Sequence, residues 1–87
     1  MIMARLIDNV WATRKAESLN GLKFMLAEEI SGTGKGRRII VADIMSAGIG
    51  DRVIVSTGSA GRKMLGSSDI PVDAVVVGII DNDCSLE

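Results

Sequence analysis

The chain has no histidine and no tyrosine, one cysteine, one proline and two aromatic residues in all, Trp11 and Phe24. Each shortage excludes something. Without histidine, the commonest general base and the commonest metal ligand are both missing. Cys84 alone builds neither a disulfide framework nor a cysteine-based metal site, and no histidine is present to activate its thiol. Ten basic residues against eleven acidic ones leave a net charge of −1, which gives no electrostatic footprint for nucleic acid or an anionic membrane. No apolar run reaches transmembrane length, and the opening Met1-Ile2-Met3-Ala4-Arg5 lacks a signal-peptide pattern. These absences describe a soluble cytoplasmic protein that is not an enzyme and holds no cofactor or metal.

What is present is glycine and β-branched residues, in alternating bursts. The length suits one domain, residues 1–83. Residues 84–87 form a C-terminal tail, and its last two, Leu86 and Glu87, are set aside as a cloning remnant. A first strand runs from Met3 to Ala12. After the turn signal Asn20-Gly21, Leu22 to Ile30 alternates Leu22, Phe24 and Leu26 with Lys23, Met25 and Ala27, the pattern of a half-buried strand with Phe24 in the core. Ser31 to Arg37 is a glycine-rich, flexible loop. A third strand covers Arg38 to Met45, a fourth Arg52 to Thr57 and a fifth Asp73 to Asp81. Between the last two, Ser59 to Leu65 reads as a short helix with Ser59 as N-cap and Gly66 as its stop.

Five strands with one short helix before the last predict an all-β chain folded as a small OB-like barrel. Parallel α/β organisation is excluded, because crossover helices do not fit in this length. The third strand (Ile39 and Val41 against Ile40, Ala42 and Ile44) and the fifth (Val75 to Ile80) are apolar on both faces. A barrel interior covers one face. The other predicts a subunit interface on the outside of the barrel.

Candidate chemistry is sparse. The loop from Gly32 to Gly36 fails the phosphate-loop pattern: Gly34-Lys35 is followed by Gly36 where serine or threonine belongs, and the loop joins two strands instead of opening a helix. Basic residues at Lys35, Arg37 and Arg38 keep open an OB-fold oligonucleotide-binding module as the alternative function, but stacking platforms are scarce with Trp11 and Phe24 alone. Asp51, Asp73, Asp81 and Asp83 stand at turns and strand ends, where aspartate ordinarily serves the backbone. The stretch from Ser46 to Arg62 stands out as the organising feature, with a glycine turn, a β-branched strand and a second glycine turn. In the turn, Gly48 and Gly50 free the backbone and Asp51 can bond local amides.

Several ordered motifs together resemble the EutN/CcmL family of pentameric vertex proteins of bacterial microcompartment and carboxysome shells. They are Thr13-Arg14-Lys15 with Leu19-Asn20-Gly21-Leu22-Lys23, then Val41-Ala42-Asp43 and Ala47-Gly48-Ile49-Gly50-Asp51-Arg52-Val53. Gly58-Ser59 with Arg62 and the closing Pro71-Val72-Asp73 to Asp81 complete the set. Ser46 departs from the resemblance, standing where the family usually has the first glycine of Gly-Ala-Gly. The resemblance implies a homopentamer that closes the corners of an icosahedral shell built mainly of hexameric and pseudohexameric tiles, in the bacterial cytoplasm, with no nucleic acid and no membrane as partner. On this reading Ser46, Ala47, Gly48, Ile49, Gly50 and Asp51 lie at the subunit interface near the symmetry axis. Thr13, Arg14, Lys15 and Arg62 make polar contacts between subunits or to neighbouring tiles.

Overall fold

The computed structural model describes residues 1–11, 19, 21–58, 61, 63 and 72–80. Strands β1 (Ile2–Val10), β2 (Lys23–Glu29), β3 (Arg38–Asp43), β4 (Arg52–Thr57) and β5 (Ala74–Ile79) close into a barrel in the order β1-β2-β3-β5-β4. The sequence places all five, although it carries the first to Ala12 where the structure ends β1 at Val10. β1 closes the barrel because it pairs with both β2 and β4. A bulge between Leu6 and Asp8 bends it enough to serve both neighbours. β3 and β5 run parallel, joined through Ala42 with Val75 and Asp43 with Val76, while every other pair is antiparallel. Closure satisfies edges that would otherwise be open to unwanted pairing.

The interior is filled by Ala4 and Leu6 from β1, Met25 and Ala27 from β2, Val41 from β3, Val53 and Val55 from β4, and Ala74 and Val76 from β5. Burying one valine, leucine or methionine side chain contributes about 1.5–3 kcal/mol. On β2 this corrects the expected facing. Phe24 lies outside the barrel, and Met25 and Ala27 line its interior. The facing follows the pairing: Ala27 stands directly across from the core residue Leu6, so the face of β2 that carries Ala27 and Met25 turns inward and the alternate face, with Phe24, turns out.

Phe24 instead packs with Leu19, Leu22 and Val77 against Ala42, Val72 and Val75, which form a second buried cluster on the outside of the barrel. The outer faces of the third and fifth strands are covered in part: Ala42 and Val75 are fully buried by their own chain, while Ile40 on β3 and Ile79 on β5 stay exposed.

The loop expected to be flexible is a hydrogen-bonded hairpin. The Glu29 amide donates to the Arg37 carbonyl at 2.8 Å, the Gly36 amide to the Glu29 carbonyl at 2.8 Å, and the Arg37 amide to the Gly34 carbonyl at 3.0 Å. The buried Glu29 carboxylate accepts from Arg37 Nη2 at 3.1 Å and lies against Gly34, where an added Cβ would collide with it. The helix expected over Ser59 to Leu65 lies largely outside the described residues. Of it, Gly61 and Lys63 have helical backbone, and Gly61 is buried where a Cβ would come within 2.8 Å of the Ser56 carbonyl oxygen.

Candidate functional site

Residues 44–51 link β3 to β4 and contain the six positions singled out in the sequence. The link is held from both ends by carboxylates. Asp43 ends β3 with its side chain fully shielded from solvent. Its Oδ1 accepts from the Met45 amide at 2.9 Å, and its Oδ2 accepts from the Ala47 amide at 2.9 Å. Lys23, across the β2–β3 pair, approaches Asp43 Oδ2 to 3.3 Å and donates from Nζ to the Ala47 carbonyl at 2.8 Å. At the far end, the Asp51 carboxylate accepts from the Gly48 amide at 2.8 Å, the local capping that the sequence suggests. Main-chain bonds from Gly50 to the Leu6 carbonyl (2.7 Å) and from Leu6 to the Asp51 carbonyl (3.0 Å) tie the turn to β1.

The six expected residues divide by their surroundings. Ala47 faces the barrel's own core and anchors the turn. Ser46, Gly48, Ile49 and Gly50 are exposed, and Asp51 is half-buried. Gly50 has φ +93°, a conformation that L side chains rarely adopt, whereas Gly48 has no such constraint and open space around it. Ser46 is the one described non-glycine residue with positive φ, at 57°. It therefore holds the left-handed geometry for which glycine is the unstrained choice. Ile44, Met45 and Ile49 present apolar side chains outward from this rigid link, Ile49 at 59% exposure. The four polar candidates, Thr13, Arg14, Lys15 and Arg62, lie outside the described residues.

Lys23 and Asp43 stand in the motifs of the resemblance, but their pairing, like the enclosure of Glu29, is visible only in the fold. A detectable signal does exist for Asp43: an aspartate closing an apolar strand just before a run of small residues suits an Asx turn onto the amide two positions on.

Beyond the turn, a groove of about 410 Å³ opens outside the β1–β4 pair, walled by Met1, Met3, Ile54 and Ile80 and edged by Thr33 and the buried Glu29. A second hollow, of about 670 Å³, lies beside Arg37, Arg38 and Asp73. Arg37 is engaged by Glu29, and Arg38 lies 3.6 Å from Glu28. Among the described residues no three acidic or cysteine side chains gather in a way that could hold a metal. Likewise, no described helix is long and apolar enough to cross a membrane. Asp51 is engaged by Gly48, and the Asp73 carbonyl accepts from the Gly58 amide at 2.7 Å; Asp81 and Asp83 lie outside the described residues. The arrangement is a barrel with preformed surface relief and no converging catalytic groups among the described residues.

Comparison with known proteins gives the same picture. Residues 1–81 match the family described as ethanolamine utilisation protein EutN/carboxysome. The chain is 39% identical to the carboxysome shell vertex protein CcmL of Synechocystis sp., over 93% of this chain and 83% of that one. The solved structure of CcmL from Gloeobacter violaceus superposes with a TM-score of 0.84 at 40% identity, covering 93% of this chain and 86% of the other. The pentameric microcompartment shell protein GrpN from Rhodospirillum rubrum gives a TM-score of 0.81 at 37% identity, covering 93% and 94%.

Proposed function

The chain belongs to the EutN/CcmL family, and from that membership we propose that it is a structural protein forming pentameric vertices of a bacterial microcompartment shell. The observation that carries this is its likeness to the pentameric shell protein GrpN, 37% identical across 93% of this chain with the same fold. A flat sheet of hexagonal tiles cannot close on itself, and five-fold units at the corners supply the missing curvature. The work is geometric. It is done by interfaces in a shell within the bacterial cytoplasm, and it needs no catalytic group, cofactor, nucleic acid or membrane. The exposed part of the turn, Ser46 and Gly48 to Gly50, lies with the half-buried Asp51 between subunits near the ring axis, with Ala47 as its anchor. Thr13, Arg14, Lys15 and Arg62 contact neighbouring subunits or the hexameric and pseudohexameric tiles.

The alternative, an oligonucleotide-binding barrel, draws little support from the described aromatics. Phe24 is engaged in the outer cluster, which leaves Trp11 as the single exposed ring among the described residues. Single-strand binding uses successive stacking platforms in a basic groove.

Native mass spectrometry tests the ring, and a stable monomer at working concentration rules it out. Coexpression with hexagonal shell proteins tests the vertex role. Shells made without this chain should lack capped corners, and corners that stay capped in its absence overturn the assignment.

A further inference from the structure

In a closed ring of identical subunits with five-fold symmetry, each copy meets its two neighbours through two different patches, which must be complementary to each other. The vertex reading names one patch, the turn. The structure supplies a candidate for the other, and this inference rests on the ring reading.

The turn is built as a projection. Asp43, Lys23 and Asp51 hold its backbone at both ends, and Ala47 plugs it into the core, so the link is ordered before anything docks on it. Ile49 nevertheless stands 59% exposed near its tip. A rigid segment that presents a large apolar side chain to water gains from docking and gives up little conformational freedom in doing so.

The groove on the β1–β4 face is built as a receptor. Met3 and Ile54 stand directly across from each other on the outer side of their strands. Ile80 is held beside them by its amide N–H, which donates to the Arg52 carbonyl at 2.8 Å. Gly78 lies opposite Ile54 in the pairing, with only Ile54 Cδ1 within 4 Å of where its Cβ would be. The resulting space of about 410 Å³ exceeds what one isoleucine side chain needs, and it falls within the usual range of preformed apolar sites, about 300–1,000 Å³. Projection and groove share no residue: the turn leaves the β1–β4 pair at Leu6, and the groove lies farther along the same pair at Met3 and Ile54, so the two patches can meet between neighbouring copies where they converge toward the ring axis.

We propose that Ile49 of each subunit seats in the groove formed by Met1, Met3, Ile54 and Ile80 of the next subunit in the ring.

The test uses the full chain. Ile49→Lys and Ile54→Glu, both at outward-facing positions, should each keep the barrel's circular dichroism spectrum. Each should raise the concentration for half-assembly in native mass spectrometry by about tenfold or more, the scale of losing a central apolar anchor. The double variant Ile49→Lys with Ile54→Glu should recover much of that loss, because the two new charges meet across the junction. Independently, Ile49→Cys with Met3→Cys in a Cys84→Ala background should form, on oxidation, a covalent ladder ending at five subunits. If the wild-type chain is a pentamer but the single variants assemble normally and the cysteines do not link, this pairing is wrong and the ring reading stands. If Ile54→Glu leaves the ring intact and instead blocks incorporation into coexpressed shells, the groove serves a tile, and the pairing is again overturned. A wild-type monomer overturns both.

Discussion

The Asp43 carboxylate and the Ala47 amide meet at 2.9 Å, on a side chain with no solvent exposure, and this bond fixes the start of the β3–β4 link together with the Met45 amide on the other oxygen. The same oxygen is 3.3 Å from Lys23 Nζ, so removing the carboxylate takes the acceptor from the Met45 and Ala47 amides and the ion-pair partner from Lys23. Lys23 is half exposed and keeps the Ala47 carbonyl, so the main loss is the acceptor of two enclosed amides, and Asp43→Ala is expected to cost about 1–3 kcal/mol. Asp43→Asn keeps one acceptor oxygen and should lose less. Urea unfolding at a fixed protein concentration measures both, and equal losses for the two variants would show that a single retained acceptor oxygen contributes nothing.

Ser46 holds φ 57° without being glycine. Left-handed backbone costs an L residue roughly 1–2 kcal/mol, partly offset by the extra freedom glycine has when unfolded. Ser46→Gly should therefore stabilise the chain by about 0.5–1 kcal/mol. Ser46→Val should destabilise it, since β-branching is worst in that region. A thermal melt that ranks valine above glycine would contradict the backbone argument.

Gly34 and Glu29 are sterically coupled, since any side chain at residue 34 runs into the buried carboxylate. Gly34→Ala alone should destabilise by about 1–3 kcal/mol, as overpacking does. Combined with Glu29→Ala, which removes the obstacle, most of that cost should vanish. A double-mutant cycle is the measurement, and strict additivity would mean that the collision is relieved some other way.

Gly48 and Gly50 should separate folding from assembly. Gly50 needs its φ of +93°, so Gly50→Ala strains the turn itself and lowers the melting temperature. Gly48 has the nearest atom, Asp51 Oδ2, 3.9 Å from the position of an added Cβ. Gly48→Leu should leave the barrel folded by circular dichroism while lowering the pentamer fraction in native mass spectrometry. A folded variant that assembles normally would remove Gly48 from the interface.

The residues themselves determined a good deal. Alternating apolar runs bounded by glycine turns defined five strands, and too little chain remained for crossover helices, which left a small barrel. Asp51 announced its local capping role by standing directly after Gly50 at the head of a strand. The lack of histidine and of paired cysteines removed most chemistry, and the ordered motifs pointed to the family. Tertiary structure decided the rest, because a period of two says that a strand has two faces but not which one turns inward. Only the pairing of β2 with β1, which sets Ala27 across from the core residue Leu6, put Met25 and Ala27 inside and sent Phe24 to the outer cluster. The burial of Ala42 and Val75 depends on residues distant in sequence, so the outer face looked bare from local pattern alone. The same holds for Asp43 and Glu29, ordinary strand-end acids by type, whose importance comes from being enclosed with Lys23 and Gly34 beside them. For the turn between β3 and β4, its glycines and Asp51 were legible in order along the chain. Its rigidity, and the outward presentation of Ile49, came from contacts that only folding assembles.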